Sequence, residues 1–197
     1  GVVYRYNTSG VLLLSLGGRI FFKNNDVYYT YLSLCHGNAL FVTVTMSLSA
    51  TCTIALSRKF SASRFWETVN QYKATVFNTI GSIIPILMKQ PEKPDDRNNT
   101  VTHVSSAACP ADMWETFEKR FGVTIYEAYG AIDGGGKGIM NLGTAPKGSL
   151  GKPPKTAPAR IVDEQGRDVP PNVPGELIFA IKNKKTLVEY YKSPEAT

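Results

Sequence analysis

The chain has 197 residues, 43% of them hydrophobic and 19% charged, so it can bury one good core with a small second lobe and reads as globular. Its net charge of +6 comes from 22 basic against 16 acidic residues scattered along the chain, which suits anionic ligands but forms no basic stripe for nucleic acid. Three unevenly spaced cysteines in apolar surroundings, Cys35, Cys52 and Cys109, read as reduced, mostly buried thiols in a cytoplasmic protein; with only His36 and His103 beside them, no zinc-ligand spacing exists.

The chain opens on Gly1 and has no basic segment ahead of an apolar stretch, so no secretory signal is expected. The missing Met suggests a fragment of a longer protein. Tyr4, Tyr6, Tyr28, Tyr29 and Tyr31 lack interleaved basic residues and are assigned to core and sheet-face packing. Ala39 to Leu56 contains no charged residue, a length at the lower limit for a membrane span. Its frequent Ser and Thr and the strand-like alternation of Thr51 to Leu56 favour a buried helix followed by a buried strand.

Ser61 or Ser63 can cap a helix carrying Phe65, Trp66, Val69 and Tyr72. A strand follows at Ala74 to Phe77, then a helix after the Gly81-Ser82 turn with Pro85 in its first turn. Residues 90–99 form a polar, Pro-containing loop. Val101 to Ser105 reads as a strand, Pro110 and Asp112 open a helix with Met113, Trp114, Phe117 and Phe121 on one side, and Gly122 stops it. Val123 to Ala128 is the next strand. This β-α-β-α-β order predicts an α/β fold, mainly a parallel sheet with flanking helices, whose ligands bind beyond the carboxyl ends of the strands. From about residue 144 the composition turns to Pro, Gly and Lys, with short strands at Ala159 to Asp163 and Glu176 to Ile181 around an Asp-Glu-Gln-Gly turn. The expected division is an α/β part over residues 1–143 and a small C-terminal antiparallel β lobe over 144–197. Lys182, Lys184 and Lys185 read as a solvated strand end or turn.

Residues 124–138, TIYEAYGAIDGGGKG, put an aromatic, an acid and a glycine cluster directly after a strand. Glycines admit positive φ and close backbone approach, Tyr129 offers a flat face and Asp133 a hard-oxygen ligand, so the stretch reads as a ligand loop or as a surface turn. The P-loop spacing fails because Ala131 stands where its first Gly belongs and Gly138 follows Lys137. Neither Gly-x-Gly-x-x-Gly around this cluster nor Gly-x-Ser-x-Gly occurs.

Four segments in order, LCHGNA at 34–39, SSAACP at 105–110, YEAYGAID at 126–133 and VPGELIF at 173–179, with GSLGKP at 148–153, resemble the AMP-forming acyl-CoA synthetases. The flavour is that of crotonobetaine/carnitine-CoA ligases and fatty-acid transport proteins, and the resemblance spans essentially the whole chain. It implies a carboxylic acid, ATP, Mg²⁺ and coenzyme A: acyl-adenylate forms with release of pyrophosphate, and coenzyme A then takes the acyl group. By the same resemblance Tyr129 stacks on adenine, Ala107, Ala108 and Cys109 lie along its edge, and Gly130, Ala131 and Ile132 continue the nucleotide loop. Asp133 matches the Mg²⁺ carboxylate, His36 the gating histidine, and Gly81 part of the acyl-pocket wall. From its residues alone His36 reads first as a buried, satisfied histidine, and the flanking Leu34, Cys35, Gly37, Asn38 and Ala39 turn the reading to the family role; Cys109 has no neighbouring base and reads as structural, and His103 receives no role.

Two departures matter. Ile132 replaces a hydroxyl expected to donate to phosphate. Gly1-Val2-Val3 resembles the end of the family's phosphate loop, and the chain stops ahead of the ribose-binding aspartate and C-terminal domain, so the isolated chain is expected not to turn over. The alternative reading is a stand-alone nucleotide- or acyl-binding or interaction module; a flavin module would need an FMN-phosphate cradle, which the sequence lacks. The apolar run from Ala39 to Leu56 predicts self-association, and a peripheral membrane contact stays open for the parent.

Overall fold

The structure is a computed structural model that describes residues 1–3, 16, 18–19, 21–133, 138–180 and 188–197. The sequence readings on Tyr4 and Tyr6, on the glycines at 134–136 with Lys137, on Ile181, and on Lys182, Lys184 and Lys185 lie outside the described residues.

In chain order the elements are β1 (Val27–Thr30), a π-helix α1 (Asn38–Thr45) running into α2 (Met46–Ala50), β2 (Thr53–Leu56), α3 (Phe65–Gln71), β3 (Val76–Ile80) and α4 (Ile83–Met88). They continue with β4 (His103–Ala107), α5 (Ala111–Phe121), β5 (Thr124–Gly130), β6 (Gly138–Asn141), β7 (Ala159–Val162) and β8 (Glu176–Phe179). The large sheet has the order β2-β1-β3-β4-β5-β6; its first four pairings are parallel and the β5/β6 pairing is antiparallel. β7 and β8 form a separate antiparallel pair. The expected mainly parallel sheet with a small antiparallel β pair is therefore the observed fold.

Side chains alternate across each strand. On one face Tyr29, Phe77, Val104 and Ile125 meet Phe65 and Val69 of α3, Ile84 and Leu87 of α4, and Trp114, Phe117 and Phe121 of α5. The other face carries Tyr28 and Val76 under Phe22, Ala50 and the α1–α2 segment. The chain leaves β1 toward β2 with its helices on the second face, and leaves β3 toward β4 and β5 with helices on the first. The order thus reverses between β1 and β3, which opens a crevice beyond their carboxyl ends.

Element ends follow local chemistry. Pro110 precedes α5, Asp112 lies in its first turn, Lys119 and Arg120 lie in its last, and Gly122 ends it at φ +69°. Charges so placed complement the helix dipole, and glycine adopts the left-handed cap without a Cβ clash. Arg120 ties the polar 90–99 loop down through Asp96 at 2.6 Å and the carbonyls of Met88, Gln90 and Pro91.

Several expectations are corrected. Neither Ser61 nor Ser63 caps α3: Arg64 is its N-cap residue and makes no side-chain cap bond. β4 and β5 each run two residues further than their predicted ends, because β4 pairs with β3 out to Ala107 and β5 pairs with β6 out to Gly130. β2 is an edge strand with only Ala55 buried, not a buried one, since β1 covers one side of it alone. Leu40 and Leu48 of the expected buried helix are exposed. Cys35 is exposed and Cys52 and Cys109 are half-buried, all three being free thiols. Tyr28, Tyr29 and Tyr31 are core residues as expected. Among the described residues, no helix is long and apolar enough to cross a membrane.

Candidate adenylate site

Three small residues turn the chain from β4 into α5. Ala108 takes φ +67°, in the left-handed region that side chains rarely occupy, and Cys109 and Pro110 then lead into the helix. The turn is held from below. Glu127, on β5 and only 3% exposed, accepts the N–H of Ala108 on Oε1 and that of Cys109 on Oε2, the latter at 3.0 Å. A buried carboxylate is costly unless hydrogen-bonded, and here both oxygens are engaged. Gly81, beyond β3, closes the other side: a Cβ there would lie 2.5 Å from the Ala108 carbonyl oxygen. Residue 81 must therefore be glycine for the two turns to pack as they do.

Above this turn lies a cleft of about 340 Å³. Ala107, Ala108, Cys109, Tyr129 and Gly130 line it, joined by Trp114, Glu127, Ala128, Gly148 and Leu150. Tyr129 is 39% exposed, so its ring is available to a ligand and is not consumed by the core. The walls are mostly small apolar side chains, two aromatics and main chain, a set suited to a flat heterocycle. Lys147, beside Gly148, bonds Glu118 at 2.7 Å, and Glu118 in turn accepts from Trp114 Nε1 at 3.1 Å, which ties the 142–149 loop to the Trp114 wall. Burial, then the nearby Glu127, Glu118 and Asp112 carboxylates, push the Cys109 thiol up to about 12, so it is a neutral wall atom and not a nucleophile.

A second cluster sits beside the cleft. Asp133 is exposed, and its Oδ2 accepts the Tyr190 hydroxyl at 2.6 Å, a hydrogen bond that raises the Tyr190 phenol above its usual range. Residues 189–191 pair with the first three residues: Val3 N–H reaches the Glu189 carbonyl at 2.8 Å, and Tyr191 N–H the Gly1 carbonyl at 2.7 Å. His36 is exposed, which removes the buried-histidine reading. Its neighbour Gly37 abuts the loop that carries Ile132: a Cβ at residue 37 would lie 2.7 Å from Ile132 Cδ1. Ile132 is 47% exposed. His36, Ala131, Ile132 and Asp133 do not line the cleft; Ala131, Ile132 and Asp133 directly follow β5, and Gly37, next to His36, lies against Ile132. Among the described residues, no three His, Cys, Asp or Glu gather as a protein-only metal site.

Sequence reasoning missed Glu127, Trp114, Gly148 and Tyr190. Glu127 had a signal, since it stands between Ile125 and Tyr129 at the inward register of an otherwise apolar strand, and Gly148 opens the GSLGKP segment; Tyr190 had none, because its partner Asp133 is remote in sequence.

The chain is similar to known proteins over most of its length. The chain is 38% identical over 186 residues to the steroid-22-oyl-CoA synthetase of Rhodococcus jostii, covering 87% of this chain and 33% of that protein. It is 33% identical over 186 residues to the crotonobetaine/carnitine–CoA ligase of Salmonella paratyphi B, covering 91% and 35%. It thus spans about a third of the length of these curated relatives. The N-terminal domain of FACL13 from Mycobacterium tuberculosis superposes with a TM-score of 0.78 at 19% identity over 100% of this chain and 50% of that one, a likeness of fold. The AMP-binding enzyme family matches residues 2–191, and this chain, with its cleft at the ends of parallel strands, belongs to that family.

Proposed function

We propose that this chain is the adenylate-seating part of an ATP-dependent acyl-CoA ligase. The observation that carries the reading is that Tyr129 and the Ala107–Cys109 turn line one cleft at the ends of parallel strands. In that reading Tyr129 stacks on adenine, the small turn residues admit its edge, and Gly81 lets the neighbouring acyl wall approach. The acid's carboxylate oxygen attacks the α-phosphorus and pyrophosphate leaves; the thiol of coenzyme A then displaces AMP from the acyl carbonyl. Asp133 would hold Mg²⁺ against the phosphates, where the cation would supply charge neutralisation. His36 borders the same end and would gate access between acyl and phosphate sites. The α/β part over 1–143 would hold the nucleotide and 144–197 would cover it, in a cytoplasmic protein. The 197-residue chain alone would bind without turning over.

The test is calorimetric titration with an acyl-sulfamoyl adenosine, a non-hydrolysable acyl-AMP analogue, with and without Mg²⁺. Tyr129→Ala should cost about 1–3 kcal/mol of binding, the worth of one stacked base. Asp133→Ala should remove the Mg²⁺ dependence of ATP binding. Absence of heat from the unsubstituted chain would leave only the scaffold. Ile132, an apolar side chain where a phosphate donor is expected, favours a second reading, a non-catalytic binding module; measurable acyl-AMP formation by a longer chain that retains Ile132 would exclude it.

A further inference from the structure

Two buried polar side chains share one rung of the sheet. Glu127 of β5 is in register with Asn141 of β6, so both point to the same face, and they are only 3% and 1% exposed. Glu127 holds the β4–α5 turn; Asn141 holds the 142–149 loop. Its Oδ1 accepts the N–H groups of Gly143 and Ala145, both at 3.1 Å. Its Nδ2 donates to the carbonyls of Ala145, Pro146 and Ser149 at 3.2, 3.1 and 2.9 Å. One carboxamide thus supplies the partners that main chain outside a strand or helix otherwise lacks. Beyond this centre the loop lands on one stripe of α5. Gly148 sits so close to Ala111 that a Cβ would lie 2.7 Å from the Ala111 Cβ, and Lys147 reaches Glu118 at 2.7 Å and Glu115 at 3.6 Å. Gly148 and Leu150 form part of the cleft wall, whereas Asn141 does not line it.

An ion pair with an exposed lysine is weak and screened by salt, so Lys147 does not by itself fix the loop. The shape of the loop comes from Asn141. A wall that is already ordered lets a ligand bind without losing affinity to the ordering of main chain, and apparent affinity scales with the fraction of molecules that have the wall in place. We propose that Asn141 is a positioning residue: by folding the 142–149 loop around its carboxamide, it presets the Gly148–Leu150 wall of the cleft before any ligand arrives. This rests on the reading of the cleft as a ligand seat.

The experiment follows amide hydrogen exchange at Ser149 and Gly151 by NMR in the full 197-residue chain, free and with octanoyl-sulfamoyl adenosine, beside calorimetric titration with the same compound. These two N–H groups report on the loop without bonding to Asn141: they donate to the Pro146 carbonyl at 3.1 Å and to the Ser149 hydroxyl at 3.0 Å. In the unsubstituted chain both should be protected before the ligand is added and change less than about threefold when it binds. In Asn141→Ala the free loop should be closed in about a tenth of the molecules, so affinity should fall about tenfold, the inverse of that fraction, and protection should return in the complex. Asn141→Asp keeps the acceptor for Gly143 and Ala145 but sets a second acceptor against three carbonyls, so it should loosen the loop as well. Lys147→Met, at an exposed position, should leave both readings within about threefold. A loss of affinity in Asn141→Ala with the loop still protected would overturn the proposal, as would a Lys147→Met loop as loose as that of Asn141→Ala. Should the Asn141 variants fail to fold, the unsubstituted chain decides alone: amides unprotected until the ligand binds would mean that the ligand orders the wall and Asn141 does not. Absence of binding by the unsubstituted chain would sink the ligand seat itself, whereas binding that Asn141→Ala leaves unchanged would sink only the role of Asn141.

Discussion

The two faces of the sheet are built differently. The face under α3, α4 and α5 is a dense apolar core in which Phe65, Phe117 and Phe121 are almost fully buried and Phe117 meets Phe121 at 4.8 Å. The face under α1 and α2 has a smaller apolar cluster and fully buries Thr43, Ser47 and Asn78; among the described residues, Ser47 Oγ and Asn78 Oδ1 find no hydrogen-bond partner, nor do Trp66 Nε1 and Ser106 Oγ on the first face. It also lies under a π-helix, an irregularity that recurs at functional sites. The comparison teaches that stability is concentrated on one face, and that the loops emerging from both faces at the carboxyl ends of the strands carry the site. Buried polar atoms without partners are rare in regions optimised for stability alone.

The sharpest way to break this contrast is Phe117→Ala. It should cost about 3–5 kcal/mol by removing a buried ring and leaving a cavity, read as a fall in the denaturation midpoint. A cost under about 1 kcal/mol would deny that this face is the stability reservoir. At the site where the two faces meet, Ile132→Thr should tighten ATP binding by about 1.5–3 kcal/mol if a donor is what that position lacks, with calorimetry as the check and unchanged affinity as the refutation.

On the polar face the sign reverses. Ser47→Ala removes a buried hydroxyl without a partner and should raise stability by about 1 kcal/mol, whereas a loss would reveal a hidden partner for the hydroxyl. The smallest effect concerns His103, which stacks on Phe22 at 6.1 Å and whose Nε2 is buried without a partner. Burial lowers its pKa below the ordinary value of about 6.5, so the unfolded chain binds the proton more readily. Stability from this group is present above about pH 6.5 and is lost as pH falls from there through the folded-state value. Midpoints measured across that range should slope less in His103→Gln; an unchanged slope would locate the pH dependence elsewhere. The exposed Leu48 and Leu56, by the edge strand β2, should also make the chain self-associate, and a clean monomer by sedimentation at high concentration would count against that.

The sequence by itself determined the order of elements from β3 to β5 and the ends of α5, because helix periodicity, Pro110 and Gly122 act within a few residues. It also supplied part of the cleft lining, Ala107, Ala108, Cys109, Tyr129 and Gly130, since they stand at or just beyond the ends of strands. Only the tertiary structure decided that β1 lies inside β2 and that the helix at Asn38 starts with a π turn. It alone brought Glu127 under Ala108, Gly37 against Ile132, and Tyr190 onto Asp133 across 57 positions. The physical reason is register: parallel pairing sets which strand ends meet, and pairing between distant strands is fixed by burial of the whole sheet and not by any local run of residues.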